Sequence, residues 1–297
     1  MKKMFFVMNP CSGQKKANKY LLEILEMFNR AGYEVTVHIT AGPGDATRAV
    51  CRQCTGMDLV VCCGGDGTFN ETVSGLLMAG QDIPVGYIPA GSTNDFAASM
   101  KLPSDILEAA RNVLEGEPVA YDAGDFGGRF FSYVASFGAF TRASYATPQS
   151  IKNALGHTAY VLEGINELSQ IRKEHIRMEL DDEVVEDDFL FGAICNSTSV
   201  GGILTLNPEQ VDMTDGLLEI LLVRAPRSLL EIAECIQAVQ NQRYNDCAMI
   251  TFRSASRMEV FADPEMPWTL DGEREDGHDH VTILNRHLAY RLIQRKE

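Results

Sequence analysis

The chain has 297 residues, of which 45% are hydrophobic, and its formal net charge at pH 7 is −15. This length and hydrophobic content suit one large or two ordinary domains, and two domains are expected. The strong negative charge argues against a nucleic-acid-binding protein and against broad electrostatic adhesion to anionic membranes.

Cysteine usage and hydrophobic run lengths indicate the compartment. The eight cysteines show no even, extracellular spacing, and the short apolar run at the start of the chain is not a signal-peptide pattern. No run reaches the roughly 18 apolar residues that a transmembrane helix needs. We therefore expect a cytoplasmic protein without a transmembrane segment, in which Cys51 and Cys54 serve packing and not zinc binding.

The first part of the chain alternates strand patterns with helix patterns. An apolar strand over residues 4–8 is followed by a polar loop, residues 9–13, and by a helix over residues 20–28. Apolar and polar residues alternate over residues 35–39, which marks a second strand that ends at Thr40. On its own the NPCSG loop is a weak signal, since a plain turn has the same composition.

Residues 59–77, with the sequence LVVCCGGDGTFNETVSGLL, form the most informative stretch. Their apolar start predicts a strand buried on both faces of a parallel sheet, and the glycines that follow permit backbone angles that a Cβ would forbid. Such a turn before a helix points free N–H groups at one spot, which suits a phosphate. Asp66, a carboxylate among these amides, makes sense if Mg²⁺ lies between the acid and the phosphates.

The helix after this turn has a predicted start. Thr68 and Glu71 have the spacing of a capping box, so Thr68 is expected to be the N-cap. Two other nucleotide fingerprints do not fit: there is no GxxxxGK[ST] loop, and Asn70 stands where the third glycine of GxGxxG should be. A plain βα turn that uses glycine only for its geometry is the alternative interpretation.

A fourth strand is predicted over residues 84–89, and a polar loop with the sequence AGSTNDF follows it. Alternating strands and helices indicate parallel strands, whose carboxyl ends all lie at one edge of the sheet. The loops after the four strands are therefore expected to converge on a single crevice.

The pattern changes after a predicted helix over residues 105–114. Residues 121–126 and 129–137 indicate a hairpin around Gly127 and Gly128. Short strands then follow with few helices between them, which indicates a mainly antiparallel β-sandwich. The strands are predicted over residues 176–180, 189–196, 217–224 and 257–261, the helices over 151–171 and 229–239, and a solvated hairpin tip over the acidic residues 181–188.

The segments GGDGTFNET from Gly64, GSTNDFA from Gly91 and LDGE from Leu270 occur in this order. Together they resemble the diacylglycerol kinase catalytic family of soluble bacterial lipid kinases, which is related to sphingosine and ceramide kinases; GGDGT alone is shared with NAD kinases. The resemblance implies an N-terminal open α/β sheet domain of the NAD kinase or phosphofructokinase type and a C-terminal, mainly antiparallel β-sandwich domain. The first domain would cover residues 1–122, completed by residues 286–297, and the second, which would take the lipid, residues 123–285.

The resemblance also implies roles for particular residues. Asp66 is expected to bind Mg²⁺ or a Mg²⁺-bound water, with Asp95 and Asp122 as outer members of an acidic network. ATP would be held by backbone amides and side chains of the four loops. The expected nucleotide-binding residues are Asn9, Pro10, Cys11, Ser12, Gly13, Thr40, Gly64, Gly65, Asp66, Gly67, Thr68, Asn70, Thr93 and Asn94.

Two further sites follow from the resemblance in the second half of the chain. Glu273 of LDGE is the expected general base, because the glutamate of the family's DGE motif takes the proton from the lipid hydroxyl. The alternative is a surface turn, since Asp-Gly is a common hairpin signal. Asp215, with the carbonyls of Asp212 and Leu217, resembles a structural Mg²⁺ site of the family, and a plain turn without an ion is the alternative there.

The predicted function is that of an ATP- and Mg²⁺-dependent lipid kinase of phospholipid metabolism, which moves the γ-phosphate to diacylglycerol and gives phosphatidic acid. The lipid would be met at the inner face of the membrane, nucleic acid is not an expected partner, and a homodimer is left open. Two alternatives are an NAD kinase-like enzyme and a lipid-binding protein that keeps the fold without turnover. Another neutral lipid alcohol or an undecaprenyl-like substrate also fits.

Some apolar residues of the second domain are candidates for an acyl groove, with core packing as the alternative. These candidates are Phe137, Phe140, Tyr145 and the helix over 151–171.

Overall fold

The computed structural model describes residues 1–139, 172–200, 204–226 and 228–296. Contacts within the chain divide it into two compact units, Met1–Ala123 with Arg286–Glu297, and Gly124–Asn285. The predicted helix over residues 151–171, and Phe140 and Tyr145 of the candidate acyl groove, lie outside the described residues.

The first unit is built on a parallel sheet. Its strands are β1 (Lys2–Met8), β2 (Tyr33–Ile39), β3 (Leu59–Gly64) and β4 (Val85–Pro89), which pair in the order β2-β1-β3-β4. Every residue of β3 and β4 is buried, as expected for the interior of a parallel sheet. β2 lies at the end of this order, and its residues are half-buried or exposed, which explains its alternating sequence.

Helices follow these strands. They are α1 (Leu21–Arg30), α2 (Asp45–Gln53), α3 (Asp66–Met78), α4 (Asp95–Ser99) and α5 (Ile106–Glu115), and a 3-10 helix covers Ser12–Tyr20. The apolar residues of α1 and α5 share one core cluster with the sheet, which includes Phe28 and Ala109 from the helices and Phe6, Val61 and Ile88 from the strands. The predicted helices over 20–28 and 105–114 are thus confirmed to within two residues at each end.

The second unit is mainly antiparallel. Its strands are β6 (Arg129–Phe131), β7 (Val134–Gly138), β8 (Glu174–Glu179), β9 (Val184–Cys195), β10 (Ser199–Val200), β11 (Leu204–Thr205), β12 (Leu218–Arg224), β13 (Ile250–Ala255), β14 (Arg257–Phe261), β15 (Trp268–Leu270) and β16 (Glu273–Glu275), with one α-helix, α6 (Leu229–Gln240), among the described residues. Two further strands, β5 (Glu117–Phe126) and β17 (His280–Gln294), belong to both units. The pairings of β6 to β16 with one another and with the end of β5 are antiparallel, and the long strand β9 pairs with three neighbours, β7, β8 and β12.

An aromatic cluster lies at the centre of the second unit's core. Trp268 is fully buried, and its ring packs edge-to-face on Phe126 and Phe137 at centroid distances of 5.0 and 4.9 Å. Ile194 and Ile220 belong to the same apolar cluster. The predicted fold class, an α/β domain followed by a mainly antiparallel sandwich, is confirmed.

The structure differs from the predicted strands in three places. The run over 129–137 is two strands, because β6 ends before Ser132 and β7 begins only at Val134. Six strands were not predicted from the sequence pattern: β10, β11, β13, β15, β16 and β17. The acidic segment forms a turn only over residues 181–183, since β9 already begins at Val184. The remaining acidic residues lie on β9, where Glu186 and Asp188 are exposed and Asp187 is half-buried.

The end of β17 returns to the first unit. Leu292 pairs in parallel with Val85 of β4. The buried Asn112 side chain on α5 donates to the Ile293 carbonyl at 3.2 Å and accepts from the Arg295 N–H at 3.0 Å. Among the described helices, none combines the length and the apolar character needed to cross a membrane.

Candidate active site

The strand order of the first unit reverses beside β1. From β1 the chain goes to β2 on one side, whereas β3 and β4 lie on the other side. The loops after β1 and β3 therefore leave the sheet at a topological switch point, which is where open α/β sheets bind ligands. These loops, residues 9–13 and 64–68, contain most of the predicted nucleotide-binding residues.

Three of the predicted loops touch one another. Gly13 has φ +46°, and a Cβ built there would lie 2.1 Å from the carbonyl oxygen of Ala90. A Cβ built on Gly91 would lie 2.7 Å from the Cα of Gly65. Since a side chain at either position would collide with neighbouring backbone, glycine allows the loops after β1, β3 and β4 to meet.

Two asparagines fix these loops from within. Asn9 donates from Nδ2 to the Thr68 hydroxyl at 3.0 Å, and its Oδ1 accepts the Cys11 N–H at 3.0 Å. Asn94 has φ +55°, and its Oδ1 accepts the Gly91 N–H at 2.8 Å. Both side chains therefore hold the backbone of a loop in a fixed shape.

The remaining predicted nucleotide-binding residues lie around this junction. Thr40 directly follows β2, and its N–H donates to the Met8 carbonyl at the end of β1 at 2.9 Å. Thr93 is exposed in the loop after β4, and Asn70 is buried on α3. Their contact with a nucleotide stays a prediction.

Asp66 joins two of the loops through its carboxylate. Its Oδ2 accepts the Asp95 N–H at 3.0 Å, and its Oδ1 accepts the Phe96 N–H at 3.2 Å and faces the Tyr87 hydroxyl at 3.5 Å. Burial raises the pKa of Asp66 above its ordinary value; the two N–H groups lower it, and the Asp95 charge adds to the rise. An ionised Asp66 is therefore favoured by any cation that approaches it.

The donor set at Asp66 fits Mg²⁺ when phosphates complete the shell. Asp66 and Asp95 are close enough for the charge of one to raise the pKa of the other. The described residues contain no cluster of three or more His, Cys, Asp or Glu side chains that could hold a metal by themselves. Mg²⁺ is commonly bound through one or two carboxylates together with substrate phosphates, and Asp66 with Asp95 offers such a pair.

The predicted start of α3 is wrong. The helix begins at Asp66 with Gly65 as N-cap, three residues before the predicted N-cap Thr68. The Thr68 hydroxyl accepts from Asn9, and the Glu71 carboxylate accepts the N–H groups of Gly44 and Ala46 at 2.7 and 3.0 Å. The capping-box spacing is present in the sequence, but both side chains have partners outside their own helix.

Asp122 lies on β5 within the first unit and is fully buried. Its Oδ1 accepts the Leu288 N–H at 2.7 Å and lies 3.1 Å from Nδ1 of His287. These contacts tie the returning end of β17 to β5. They provide a structural reason for the buried carboxylate, and its membership of an acidic network stays a prediction.

Glu273 follows a tight hairpin turn in the second unit. Leu270 of β15 is paired with Glu273 of β16, and the two residues between them, Asp271 and Gly272, have φ +48° and +83°. Two positive φ angles in a two-residue loop define a type I′ turn. The Asp-Gly pair therefore forms a hairpin turn, which places Glu273 at the start of a strand with its side chain 40% exposed. The role of Glu273 as a general base stays a prediction.

Arg129 bridges the Glu273 carboxylate and a second acid. Its Nη2 lies 3.1 Å from Oε2 of Glu273, its Nη1 binds the Glu275 carboxylate, and Nη1 also donates to the Arg274 carbonyl at 3.2 Å. Sequence reasoning missed Arg129 because 144 residues separate it from Glu273 and no motif joins them.

Asp271 fixes this hairpin to the break between β6 and β7. Its buried carboxylate accepts three backbone N–H groups, those of Ser132 at 2.5 Å, Tyr133 at 3.0 Å and Val134 at 2.9 Å. The break in the predicted strand over 129–137 is thus the point where the LDGE hairpin binds. The same contacts place Arg129, on β6, beside Glu273.

Asp271→Asn is expected to lower the free energy of unfolding of the second unit by about 2–3 kcal/mol, because the amide nitrogen that replaces Oδ2 cannot accept the Ser132 N–H. Asparagine tolerates a positive φ, so the turn itself is unchanged. Urea unfolding followed through the fluorescence of Trp268, the single tryptophan of the chain, measures the effect. Asp276→Asn, at a side chain that is 90% exposed, is the control. Equal stability of both variants would contradict this role.

The segment with the predicted structural Mg²⁺ site is a turn stabilised by its own side chains. Asp212 Oδ1 accepts the N–H and hydroxyl of Thr214 at 2.9 and 2.6 Å, and Asp215 Oδ1 accepts the Leu217 N–H at 2.9 Å. The Leu217 carbonyl accepts from Asn285 at 2.8 Å. These contacts account for the turn without an ion, and cation binding by Asp212, Asp215 and Leu217 stays a prediction.

Two family models match this chain. The diacylglycerol kinase catalytic domain matches residues 3–126, and the YegS C-terminal NAD kinase beta sandwich-like domain matches residues 134–284. Two solved structures from Bacillus anthracis share the fold with TM-scores of 0.80 and 0.75 at 24% and 21% identity. Both cover 99% of this chain, which covers 95% and 97% of theirs.

Curated relatives are similar over nearly the whole chain. A diacylglycerol kinase of Bacillus subtilis is 33% identical over 275 residues, 92% of this chain and 90% of the relative. A diacylglycerol kinase of Staphylococcus saprophyticus is 29% identical over 273 residues, 92% of this chain and 89% of the relative. With the joined glycine loops and the LDGE hairpin, these matches show that the chain belongs to the diacylglycerol kinase catalytic family.

Proposed function

We propose that this protein is a lipid kinase that transfers the γ-phosphate of ATP to the hydroxyl of diacylglycerol and gives phosphatidic acid. The observation that carries the proposal is the junction of the loops after β3 and β4, which the Asp66 carboxylate joins at the switch point of a parallel sheet. It is supported by the similarity to relatives that are named diacylglycerol kinase. Cytoplasmic location and contact with the inner membrane face belong to the same proposal.

The nucleotide would be bound by the first unit. The N-terminal N–H groups of α3 have no side-chain cap on Gly65, so they are suited to receive phosphate oxygens. Asn9 and Asn94 hold the adjoining loops in shape, and the N–H groups and hydroxyls around Thr40 and Thr93 would complete the contacts.

Asp66, with Asp95, would hold Mg²⁺ beside the phosphates. When bound, this ion neutralises the negative charge of the phosphate oxygens and orients them for transfer. Asp66 also keeps the Asp95 and Phe96 N–H groups bonded, so the loop after β4 stays in place during turnover.

Glu273 would act as the general base. As the lipid oxygen forms its bond to the γ-phosphorus, the bond from that phosphorus to the bridging oxygen of ADP breaks, and the hydroxyl proton passes to the Glu273 carboxylate. Arg129 would orient this carboxylate through the contact at 3.1 Å. The type I′ turn, fixed by Asp271, restricts the position of Glu273 further.

A substrate panel tests the proposal. Purified protein with labelled ATP and Mg²⁺ is incubated with diacylglycerol in mixed micelles, with an undecaprenol-type alcohol, or with NAD, and the phosphorylated product is identified. We expect phosphate on diacylglycerol. Phosphate on NAD alone would establish the NAD kinase alternative, and lipid binding in calorimetry without ATP consumption would establish a binding protein without turnover.

A further inference from the structure

We infer that Glu71 is a positioning residue for the nucleotide: it holds the loop of residues 40–44, which carries Thr40, from the helix that starts in the GGDGT turn. This inference rests on the proposed ATP site. The Glu71 carboxylate accepts the Gly44 N–H at 2.7 Å through Oε1 and the Ala46 N–H at 3.0 Å through Oε2. Glu71 belongs to α3, whereas both donors lie at the start of α2.

The start of α2 has no side-chain cap of its own. Its N-cap is Gly44, with φ +71°, so the N–H groups of the first turn need acceptors from elsewhere. Glu71 supplies an acceptor to two of them, and its negative charge lies at the positive end of the helix dipole. An unpaired carboxylate near a phosphate-binding loop would repel the nucleotide. The Gly44 and Ala46 N–H groups offset the negative charge of Glu71.

The other end of the loop is fixed independently. The Thr40 N–H donates to the Met8 carbonyl at 2.9 Å, and the Ala41 N–H donates to the Asp45 carboxylate at 2.9 Å. With Glu71 at Gly44, the loop is held at both ends. Removing the Glu71 contact would leave the Gly44 end held through Asp45, whose carboxylate lies 3.0 Å from Nε2 of His38 and whose N–H donates to the Gly42 carbonyl. The position of Thr40 relative to the phosphate loop would become less restricted.

The contact of the Glu71 carboxylate with the 40–44 loop is separate from the contacts that pack α2 against α3. A Cβ on Gly75 would lie 2.7 Å from the Cβ of Val50, so α2 and α3 pack closely one turn away from Glu71. The Thr47 hydroxyl donates to the Glu71 carbonyl at 3.0 Å and also joins the helices. Thr47→Val therefore removes a hydrogen bond between α2 and α3 without touching the 40–44 loop, and serves as the matched control.

Glu71→Gln is expected to raise the KM for ATP about tenfold, the change that corresponds to losing one charge-assisted hydrogen bond. The value of kcat and the KM for diacylglycerol should stay within about twofold, because Asp66 and Glu273 are unchanged. Thr47→Val should leave the KM for ATP within about twofold of the wild-type value, even if it lowers the unfolding midpoint as much as Glu71→Gln does. Glu71→Asp, one methylene shorter, should show an intermediate KM and provides a second variant if the first does not fold.

Hydrogen exchange on the nucleotide-free protein gives a readout that does not need activity. The Gly44 and Ala46 amides should exchange faster in Glu71→Gln, and those of Asp95 and Phe96 should not. An unchanged KM for ATP, an equal rise in Thr47→Val, or a loss confined to kcat would overturn the inference. If the wild-type protein does not bind ATP, the proposed function is overturned. If the wild type binds ATP and Glu71→Gln has the same KM for ATP, only the role of Glu71 is overturned.

Discussion

Asp66→Ala is expected to lower kcat/KM for phosphoryl transfer by about 10³-fold, because the variant lacks the carboxylate proposed to hold Mg²⁺ against the phosphates. The same change removes the acceptor of the Asp95 and Phe96 N–H groups, so the loop after β4 also loses its tie to α3. Steady-state rates over a range of Mg²⁺ concentrations measure the loss. If high Mg²⁺ concentrations do not restore the rate, the loss comes from the missing carboxylate ligand and not from weaker Mg²⁺ binding that excess ion can offset.

Two further variants separate the chemical from the structural part of this effect. Asp66→Asn removes the charge but keeps one acceptor oxygen for the Asp95 and Phe96 N–H groups, so its unfolding midpoint should fall less than that of Asp66→Ala while its activity falls as much. Tyr87→Phe removes only the hydroxyl that lies 3.5 Å from Asp66 and should keep most of the activity. Normal turnover in Asp66→Asn would remove the Asp66 charge from the mechanism.

Glu273→Gln is expected to lower kcat by roughly 10² to 10⁴ while the affinity for ATP stays nearly unchanged, because an amide cannot accept the hydroxyl proton. Single-turnover rates with diacylglycerol give the first quantity, and calorimetric titration with ATP gives the second. The amide oxygen of glutamine can still accept from Arg129, so the hairpin should keep its geometry.

Glu275→Gln is the matched control for Glu273. Glu275 lies on the same short strand and binds the same guanidinium, but it has no proposed role in proton transfer. Its removal should change kcat by no more than about fivefold, the size expected for a partly exposed ion pair. Equal losses in the two variants, or a loss confined to ATP binding, would move Glu273 out of the base role.

Much of the first unit was predictable because its strands are short and completely buried. The apolar runs before Asn9, Gly64 and Ala90 end where β1, β3 and β4 end, and the polar residues after them lie in the loops that the structure brings together. Parallel strands with right-handed crossovers leave few alternatives for where their carboxyl ends lie. The convergence of these loops therefore followed from the pattern.

The second unit was less predictable because several of its strands are too short to show a period. β15 and β16 have three residues each, and they are strands because β15 pairs with both β7 and β16. The break between β6 and β7 has no local sequence signal either. It depends on a hydrogen bond from Ser132 to Asp271, which lies 139 residues later in the chain. Pairing partners at such separations are set by packing and not by local sequence.

By itself the sequence determined the class of the fold, the order of the loops and the three motifs of the family, because burial periodicity and turn chemistry are local properties. Only the tertiary structure decided the partner of each polar side chain. Glu71 reaches α2 and not its own helix, Asp271 reaches the start of β7, and Arg129 reaches Glu273. A buried donor or acceptor takes whichever partner the packed backbone brings within hydrogen-bond distance, and residues far apart in the chain become neighbours only after folding.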